Sequence, residues 1–189
     1  APVARLDSRD AGKAGPLMAL AQTLQDGCVS LLARGAASGA AVLSGPRLSV
    51  LIFHRVLREP DPIFPGELDA RRFERLMSIV ARSYKVLPLD EALRLLPQGR
   101  LPPRALAITF DDGYADNHDV AMPVLRRLGL SATIFIATGF LDGGRMWNDT
   151  VIECIRGTAQ DTLDLTEFGL APMPTRSSAE RRQAIERVI

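Results

Sequence analysis

The sequence predicts an α/β domain with a parallel sheet, and three apolar runs support this. Residues 105–110 read ALAITF without polar alternation, which is typical of a strand buried on both faces of a parallel sheet. A helix is the alternative, but the short run lies between two prolines and Gly113, which favours the strand. Residues 48–53 and 132–136 are similar runs. The helical pattern before the last run makes a strand–helix–strand unit, which implies a right-handed parallel crossover.

Residues 1–45 are predicted to form an N-terminal extension ahead of the domain. The first part of this segment is rich in alanine, glycine and charge and shows no periodicity, which predicts a loose leader. Residues 17–43 are rich in alanine and leucine, but charged residues and glycines interrupt them, so they are too broken to span a bilayer. We interpret them as a partly helical segment packed on the domain, which then occupies residues 46–189.

The elements before the central strand follow from capping residues, breakers and apolar spacing. Asp69 is predicted to cap a helix with an apolar stripe that faces the core, and Pro97 ends a second, shorter helix. The predicted elements are, in order, strand 48–53, loop 58–66, helix 69–82, strand 84–88 and helix 91–96.

Two adjacent carboxylates, Asp111 and Asp112, stand where the strand 105–110 ends, and Gly113 follows them. The carboxyl ends of strands in α/β folds carry ligands and catalytic groups. Adjacent like charges are costly unless a cation lies beside them, so the pair predicts a bound metal ion. The alternative is a pair of solvated turn residues. His54, at the end of another strand, is predicted either to reach the same pocket or to bond to neighbouring loops.

A helix is predicted after the carboxylates, with Asp116 or Asn117 as its cap and Gly129 at its end. On this helix His118 is predicted to face water and is not assigned as a metal ligand. Trp147 opens a later helix, where it either stacks on a ring of a bound ligand or is a buried aromatic at the helix start. The remaining elements are loop 138–146, helix 147–156, an irregular insertion over 157–174 and helix 179–189.

The composition excludes several functional classes. The 189 residues carry a net charge of +1, with acidic and basic residues interleaved, so no nucleic acid or anionic membrane partner is predicted. Cys28 and Cys154 are far apart and belong to no paired motif, so neither a zinc–cysteine site nor a disulfide framework is indicated. A neutral or weakly charged substrate is compatible with this balance.

The motif TFDDGY at residues 109–114, followed by Asp116-Asn117 and the run at 132–136, resembles the first motif of the polysaccharide deacetylases. These are the NodB-like enzymes of carbohydrate esterase family 4. The resemblance extends over roughly residues 48–156 and looks most like the branch found in exopolysaccharide gene clusters. Its further segments are FHRV at 53–56, LPLDEA at 87–92, GFL at 139–141 and WND at 147–149.

The resemblance implies a deformed parallel (β/α) barrel and a metal-dependent hydrolase that removes N-acetyl groups from sugars of a bacterial polysaccharide. By position in the motif, Asp112 corresponds to the metal ligand of the family and Asp111 to the general base that acts on the metal-held water. The expected cofactor is a divalent metal, most often zinc. His54, Tyr114 and Trp147 are the candidate substrate-binding residues.

The sequence departs from the family pattern at residues that the chemistry needs. Two histidines one helical turn apart complete the family's metal site, but only His54 and His118 occur here and they form no such pair. The family places that pair, a later arginine and a general-acid histidine beyond the region that ends at Ile189. The expectation is therefore an N-terminal part of the barrel, with its C-terminal part missing, that is inactive by itself. Phe53 also stands where related sequences carry tyrosine, so any role of that hydroxyl is lost.

Other functional classes fit the motif less well or share its fold. An acid-phosphatase-like enzyme with Asp111 as nucleophile needs a second aspartate two positions on, where the chain has Gly113. A phospho-acceptor domain needs its acidic pair on an early strand and a single phosphorylated aspartate elsewhere. A non-catalytic sugar-binding or polysaccharide-assembly protein on the same barrel stays open as the alternative.

Overall fold

The computed structural model describes residues 47–189, so the extension predicted over 1–45, with Cys28, lies outside the described residues. The strands are β1 (Leu48–Phe53), β2 (Lys85–Val86), β3 (Ala105–Phe110), β4 (Thr133–Ile134), β5 (Thr162–Leu163) and β6 (Met173–Pro174). The α-helices are α1 (Ala70–Ser83), α2 (Leu89–Leu95), α3 (Met122–Arg127), α4 (Trp147–Gly157) and α5 (Ser178–Val188). A π-helical turn, Asn117–Ala121, leads directly into α3, and 3₁₀ turns lie at Thr138–Phe140 and Thr166–Phe168.

β3 is the central strand of a parallel sheet, and all of its residues are buried. β1 lies along the whole of β3, with Leu48 opposite Ala105 and Phe53 opposite Phe110. The short strands β2 and β4 pair with the beginning and the end of β3. The predicted α/β fold with parallel strands is therefore confirmed, whereas a closed barrel is not seen in the described residues.

The main core lies where α1 and α3 pack against one face of the sheet. Ring centroids are 5.5 Å apart between Phe53 and Phe73 and 5.4 Å apart between Phe53 and Phe110. Aromatic pairs at such distances add about 0.5–1.5 kcal/mol beyond the burial of their area. Phe53 therefore packs in the core at the position where related sequences carry a tyrosine.

α1 begins at the residue that the sequence predicts. The Asp69 carboxylate accepts hydrogen bonds from the backbone N–H groups of Arg71 and Arg72 at 2.9 and 3.0 Å, which satisfies donors that have no partner within the helix. Phe73 and Met77, one helical turn apart, are fully buried against the sheet. The cap and the apolar stripe together orient α1 on the core face.

The last part of the chain packs on the loop that follows β1. Ile63 in that loop meets Ile155 and Met173 in a second buried cluster. Arg156 of α4 donates two hydrogen bonds to the Asp61 carboxylate, at 2.7 and 3.1 Å. These contacts hold α4 beside the carboxyl end of β1, which is the end of the sheet that carries the motif.

The chain after β3 differs from its prediction at two places. The segment predicted to be irregular contains β6, which pairs antiparallel with β5. The strand predicted over 132–136 is shorter, since only Thr133–Ile134 joins the ladder. The final helix is present and begins behind a capping box made by Ser177 and Glu180.

Several features lie away from the motif. His118 is exposed and lies 2.8 Å from the Asp119 carboxylate, as its predicted contact with water requires. Cys154 on α4 is a free, exposed thiol. Within residues 47–189, no helix combines the length and the apolar character that crossing a membrane requires.

Candidate active site

Asp111 and Asp112 lie at the carboxyl end of β3, where the chain leaves the sheet through a tight turn. The Asp111 N–H donates to the Phe53 carbonyl oxygen at 2.8 Å, which extends the β1–β3 ladder. Asp112 and Gly113 then have φ angles of 70° and 71°, a left-handed conformation that disfavours side chains. A Cβ at position 113 would lie 3.3 Å from the Ile136 side chain. Glycine is therefore favoured at position 113, and a strained residue such as Asp112 is the kind often found at functional sites.

His54 follows β1 directly and lies beside Asp111, because β1 and β3 are parallel neighbours. The distance from His54 Nε2 to Asp111 Oδ2 is 4.0 Å, and the two side chains are 60% and 38% exposed. Both groups are thus open to solvent and to a ligand. The structure brings these two predicted site residues together at one end of the sheet.

The first turn after the motif holds the backbone that carries His54. The Asp116 carboxylate accepts hydrogen bonds from Arg55 Nε at 2.9 Å and from the Val56 N–H at 3.2 Å. Asn117 is buried and donates from Nδ2 to the His54 carbonyl oxygen at 2.9 Å. No side-chain cap is made at the start of this helix, so the predicted capping role of Asp116 or Asn117 is wrong. Instead, the side chains of Asp116 and Asn117 form hydrogen bonds with the residues that directly follow β1.

Tyr114 connects the motif turn to two other elements. The guanidinium carbon of Arg55 lies 4.6 Å from the centre of the Tyr114 ring, which is a cation–π contact. The Tyr114 hydroxyl donates to Asp149 Oδ2 on α4 at 2.9 Å. Burial and the bond to Asp149 raise the pKa of Tyr114, so the hydroxyl stays protonated and keeps donating.

Trp147 is the candidate residue that the structure does not bring to the motif. It is the first residue of α4, is 66% exposed, and lines neither of the two cavities beside Asp112. The alternative of a buried aromatic at the helix start is therefore wrong. A stacking role for its indole ring stays a prediction.

Two cavities open beside Asp112. The Phe140 cavity has a volume of about 350 Å³, and the glycine-containing loop before α4 forms its outer wall. The Phe64 cavity has a volume of about 460 Å³, and the loop after β1 and α4 form its outer wall. The residues that line both cavities are Arg55, Asp112, Tyr114 and Asp149.

The described residues do not form a complete metal site. In residues 47–189, no group of three or more histidine, cysteine, aspartate or glutamate side chains is arranged to hold an ion. Asp112 offers carboxylate oxygens, which zinc and other divalent ions accept as ligands, so it fits as one ligand. A catalytic zinc takes three protein ligands. The described residues by themselves therefore do not provide the three ligands that such a site requires.

No functional role is predicted from the sequence for Arg55 or Asp149, although both lie in segments that carry the family resemblance. Arg55 is part of FHRV and Asp149 is part of WND. Nothing within either segment indicates its partner, because each contact joins residues that are far apart in the chain. Only the fold places both side chains around Tyr114.

The motif region matches a known family model. The family model described as polysaccharide deacetylase matches residues 98–157. YxkH of Bacillus subtilis (strain 168), whose name places it among the polysaccharide deacetylases, is 35% identical over 92 residues. The match covers 48% of this chain and 32% of YxkH, so the chain spans about a third of the length of this curated relative.

Two solved structures show weaker similarity. The deacetylase PplD of Streptococcus pyogenes, in complex with acetate, is 20% identical with a TM-score of 0.48, over 60% of this chain and 54% of PplD. IcaB from Ammonifex degensii is 26% identical with a TM-score of 0.43, over 59% of this chain and 49% of IcaB. The family model and the match to YxkH confirm the resemblance that the motifs indicate, since residues 98–157 of this chain match the polysaccharide deacetylase model.

Proposed function

We propose that the chain contributes a catalytic carboxylate pair to a metal-dependent hydrolase that removes N-acetyl groups from sugars of a bacterial polysaccharide. The observation that carries the proposal is the placement of Asp111, Asp112 and His54 at one end of two adjacent parallel strands. Ligands of α/β folds bind at this end. The polysaccharide deacetylase model matches residues 98–157, and this match supports the reaction class. That class is hydrolysis of a carbon–nitrogen bond other than a peptide bond.

The residues suit the two proton transfers that amide hydrolysis needs. Asp111 is partly exposed and accepts a proton from the attacking water while the water oxygen bonds to the carbonyl carbon. The tetrahedral species then collapses, the carbon–nitrogen bond breaks and the nitrogen takes a proton. The proton that Asp111 took up passes to this nitrogen, while His54, 4.0 Å from Asp111, binds the substrate beside it. The products are acetate and a free sugar amine.

Asp112 is proposed as one ligand of a divalent metal, with zinc as the expected ion. When bound, such an ion acidifies water and polarises the acetamide carbonyl. One carboxylate holds zinc weakly, and the 189 residues contain only two histidines. We therefore expect the 189-residue chain to release no acetate by itself and to bind zinc weakly through Asp112.

An NMR titration with Zn²⁺ tests the role of Asp112. Zinc added to the ¹⁵N-labelled chain should shift the amide signals of Gly113 and its neighbours, with low affinity. Asp112→Asn should abolish these shifts, whereas the matched variant Asp142→Asn, in an exposed loop, should leave them unchanged. Shifts that survive Asp112→Asn would contradict the proposed ligand. Acetate release from an N-acetylated polysaccharide by the 189-residue chain would contradict its expected inactivity.

The alternative is a non-catalytic sugar-binding or polysaccharide-assembly role on the same fold. The observation that favours it is that no three-ligand metal cluster occurs among the described residues. Under this alternative, zinc causes no shifts around Asp112, and N-acetylated oligosaccharides still bind. The zinc titration therefore separates the two functions.

A further inference from the structure

Tyr114 and Asp149 form a bridge between two elements that surround the site. Tyr114 belongs to the motif turn and Asp149 to the first turn of α4, and their oxygens are 2.9 Å apart. The Tyr114 ring is held by Arg55, whose Nε is in turn fixed by Asp116. α4 is held by the pair that Arg156 forms with the loop after β1. Both ends of the bridge are therefore fixed by contacts within the protein.

The bridge lies between the two cavities beside Asp112. Tyr114 and Asp149 line both the Phe140 cavity and the Phe64 cavity, while the outer walls of the two cavities come from different loops. Asp112 also lines both cavities. An acetyl group that reaches Asp112 is thus at the junction, with about 350 Å³ of space on one side and about 460 Å³ on the other.

The bridge also offers the polar groups that a sugar needs. Tyr114 uses its hydrogen toward Asp149, so its oxygen still accepts hydrogen bonds. Asp149 Oδ1 and the two terminal nitrogens of Arg55 have no hydrogen-bond partner among the described residues. Phe140 lines one cavity and Phe64 lines the other, and such aromatic rings pack against apolar faces.

We propose that Tyr114 and Asp149 determine the length of saccharide that this site selects. This inference rests on the proposed function and adds a substrate preference to it. The sugar unit that presents its acetyl group lies over the bridge, and the neighbouring units on either side occupy the two cavities. The ligand class is an N-acetylated oligosaccharide of three or more units, bound through an internal unit and not through its end.

Amide signals of the two cavities provide a direct test with the 189-residue chain. The probes are N-acetylglucosamine and its linear trisaccharide, titrated into the ¹⁵N-labelled chain. The trisaccharide should shift the signals of Gly144 in the Phe140 cavity and Gly66 in the Phe64 cavity with one affinity. It should bind about tenfold more tightly than the monosaccharide, because it makes contacts in both cavities. The monosaccharide should shift the amide signals of one cavity at most.

Two variants examine the bridge itself. Tyr114→Phe removes the hydroxyl but keeps the ring against Arg55, and Asp149→Asn removes the charge but keeps the side-chain shape. Each should reduce the ratio of the two affinities to about threefold or less, because the walls of the two cavities are then no longer held together and the outer sugar units lose more contacts than the unit over the bridge. Tyr84→Phe is the matched control, because Tyr84 packs against the main core and lines neither cavity.

The outcomes separate this inference from the function on which it rests. Equal affinities for the two saccharides, shifts confined to one cavity, or an unchanged ratio in both bridge variants would overturn the inference and leave the proposed function standing. If neither saccharide binds, the inference is overturned, while the zinc titration still decides the proposed function.

Discussion

Replacing Asp61 by asparagine should destabilise the protein at neutral pH and have a smaller effect in acid. Arg156 holds the Asp61 carboxylate through two nitrogens at 2.7 and 3.1 Å, and the Asp61 side chain is 10% exposed. The hydrogen bonds from Arg156 lower the pKa of Asp61 against the opposing effect of burial, and the N–H groups of Ile63 and Phe64 lower it further. The folded state therefore selects the ionised carboxylate.

The expected size of the loss follows from how deeply the pair is buried. Removing one member of a fully buried pair costs about 3–5 kcal/mol, whereas an exposed pair contributes about 0–1 kcal/mol. Arg156 is 30% exposed, and asparagine keeps an oxygen that accepts from the two backbone N–H groups. We expect Asp61→Asn to lower the free energy of unfolding by about 2 kcal/mol at neutral pH, between these limits.

Urea unfolding at a series of pH values measures this loss and its pH dependence. Because the folded pKa of Asp61 lies below the ordinary value of 3.8, its contribution is present above that value and is lost as the pH falls through the folded pKa. Asp161→Asn breaks an exposed pair with Arg176 at 3.4 Å and is the matched control, with an expected change of less than about 0.5 kcal/mol. Equal losses in the two variants, or a difference that does not shrink in acid, would refute the reasoning.

Two further changes test the motif turn and the strand ends. Gly113→Ala should cost about 2 kcal/mol of stability, because a side chain there meets both a positive φ and a neighbouring isoleucine. Gly99→Ala, at a similar φ with open space around it, should cost about 1 kcal/mol, and equal losses would contradict the clash. Asn117→Ala should cost about 1–3 kcal/mol and shift the imidazole NMR signals of His54, whose carbonyl it holds. Asp119→Asn, on the exposed side of the same turn, should leave those signals in place, and unmoved signals in Asn117→Ala would argue against the positioning contact.

Local patterns in the sequence predicted the elements that carry the site. The apolar runs at 48–53 and 105–110 became β1 and β3 with the predicted bounds, and Asp69 caps α1. These predictions succeed because apolar runs, caps and breakers act within a few residues of the element that they define. The position of Asp111 at a strand end follows from the same local signals.

Contacts between distant residues could not be predicted in this way. Asp116 is 61 residues from Arg55, and Tyr114 is 35 residues from Asp149. An aspartate before a helix ordinarily predicts a cap, but here its carboxylate bonds to Arg55 and Val56. The Asp116 carboxylate thus bonds to residues that are distant in the chain and not to the N–H groups of its own helix. No pattern within the helix indicates these distant partners.

The position of His54 beside Asp111 depends on the pairing of β1 with β3. Because β1 pairs with β3 along its whole length, a local opening of β1 would carry His54 away from Asp111. The fraction of molecules with a formed site is then set by the docking free energy of this strand. A ligand that contacts both side chains stabilises the docked strand by mass action. Slower hydrogen exchange of the β1 amides would therefore report occupancy of the site.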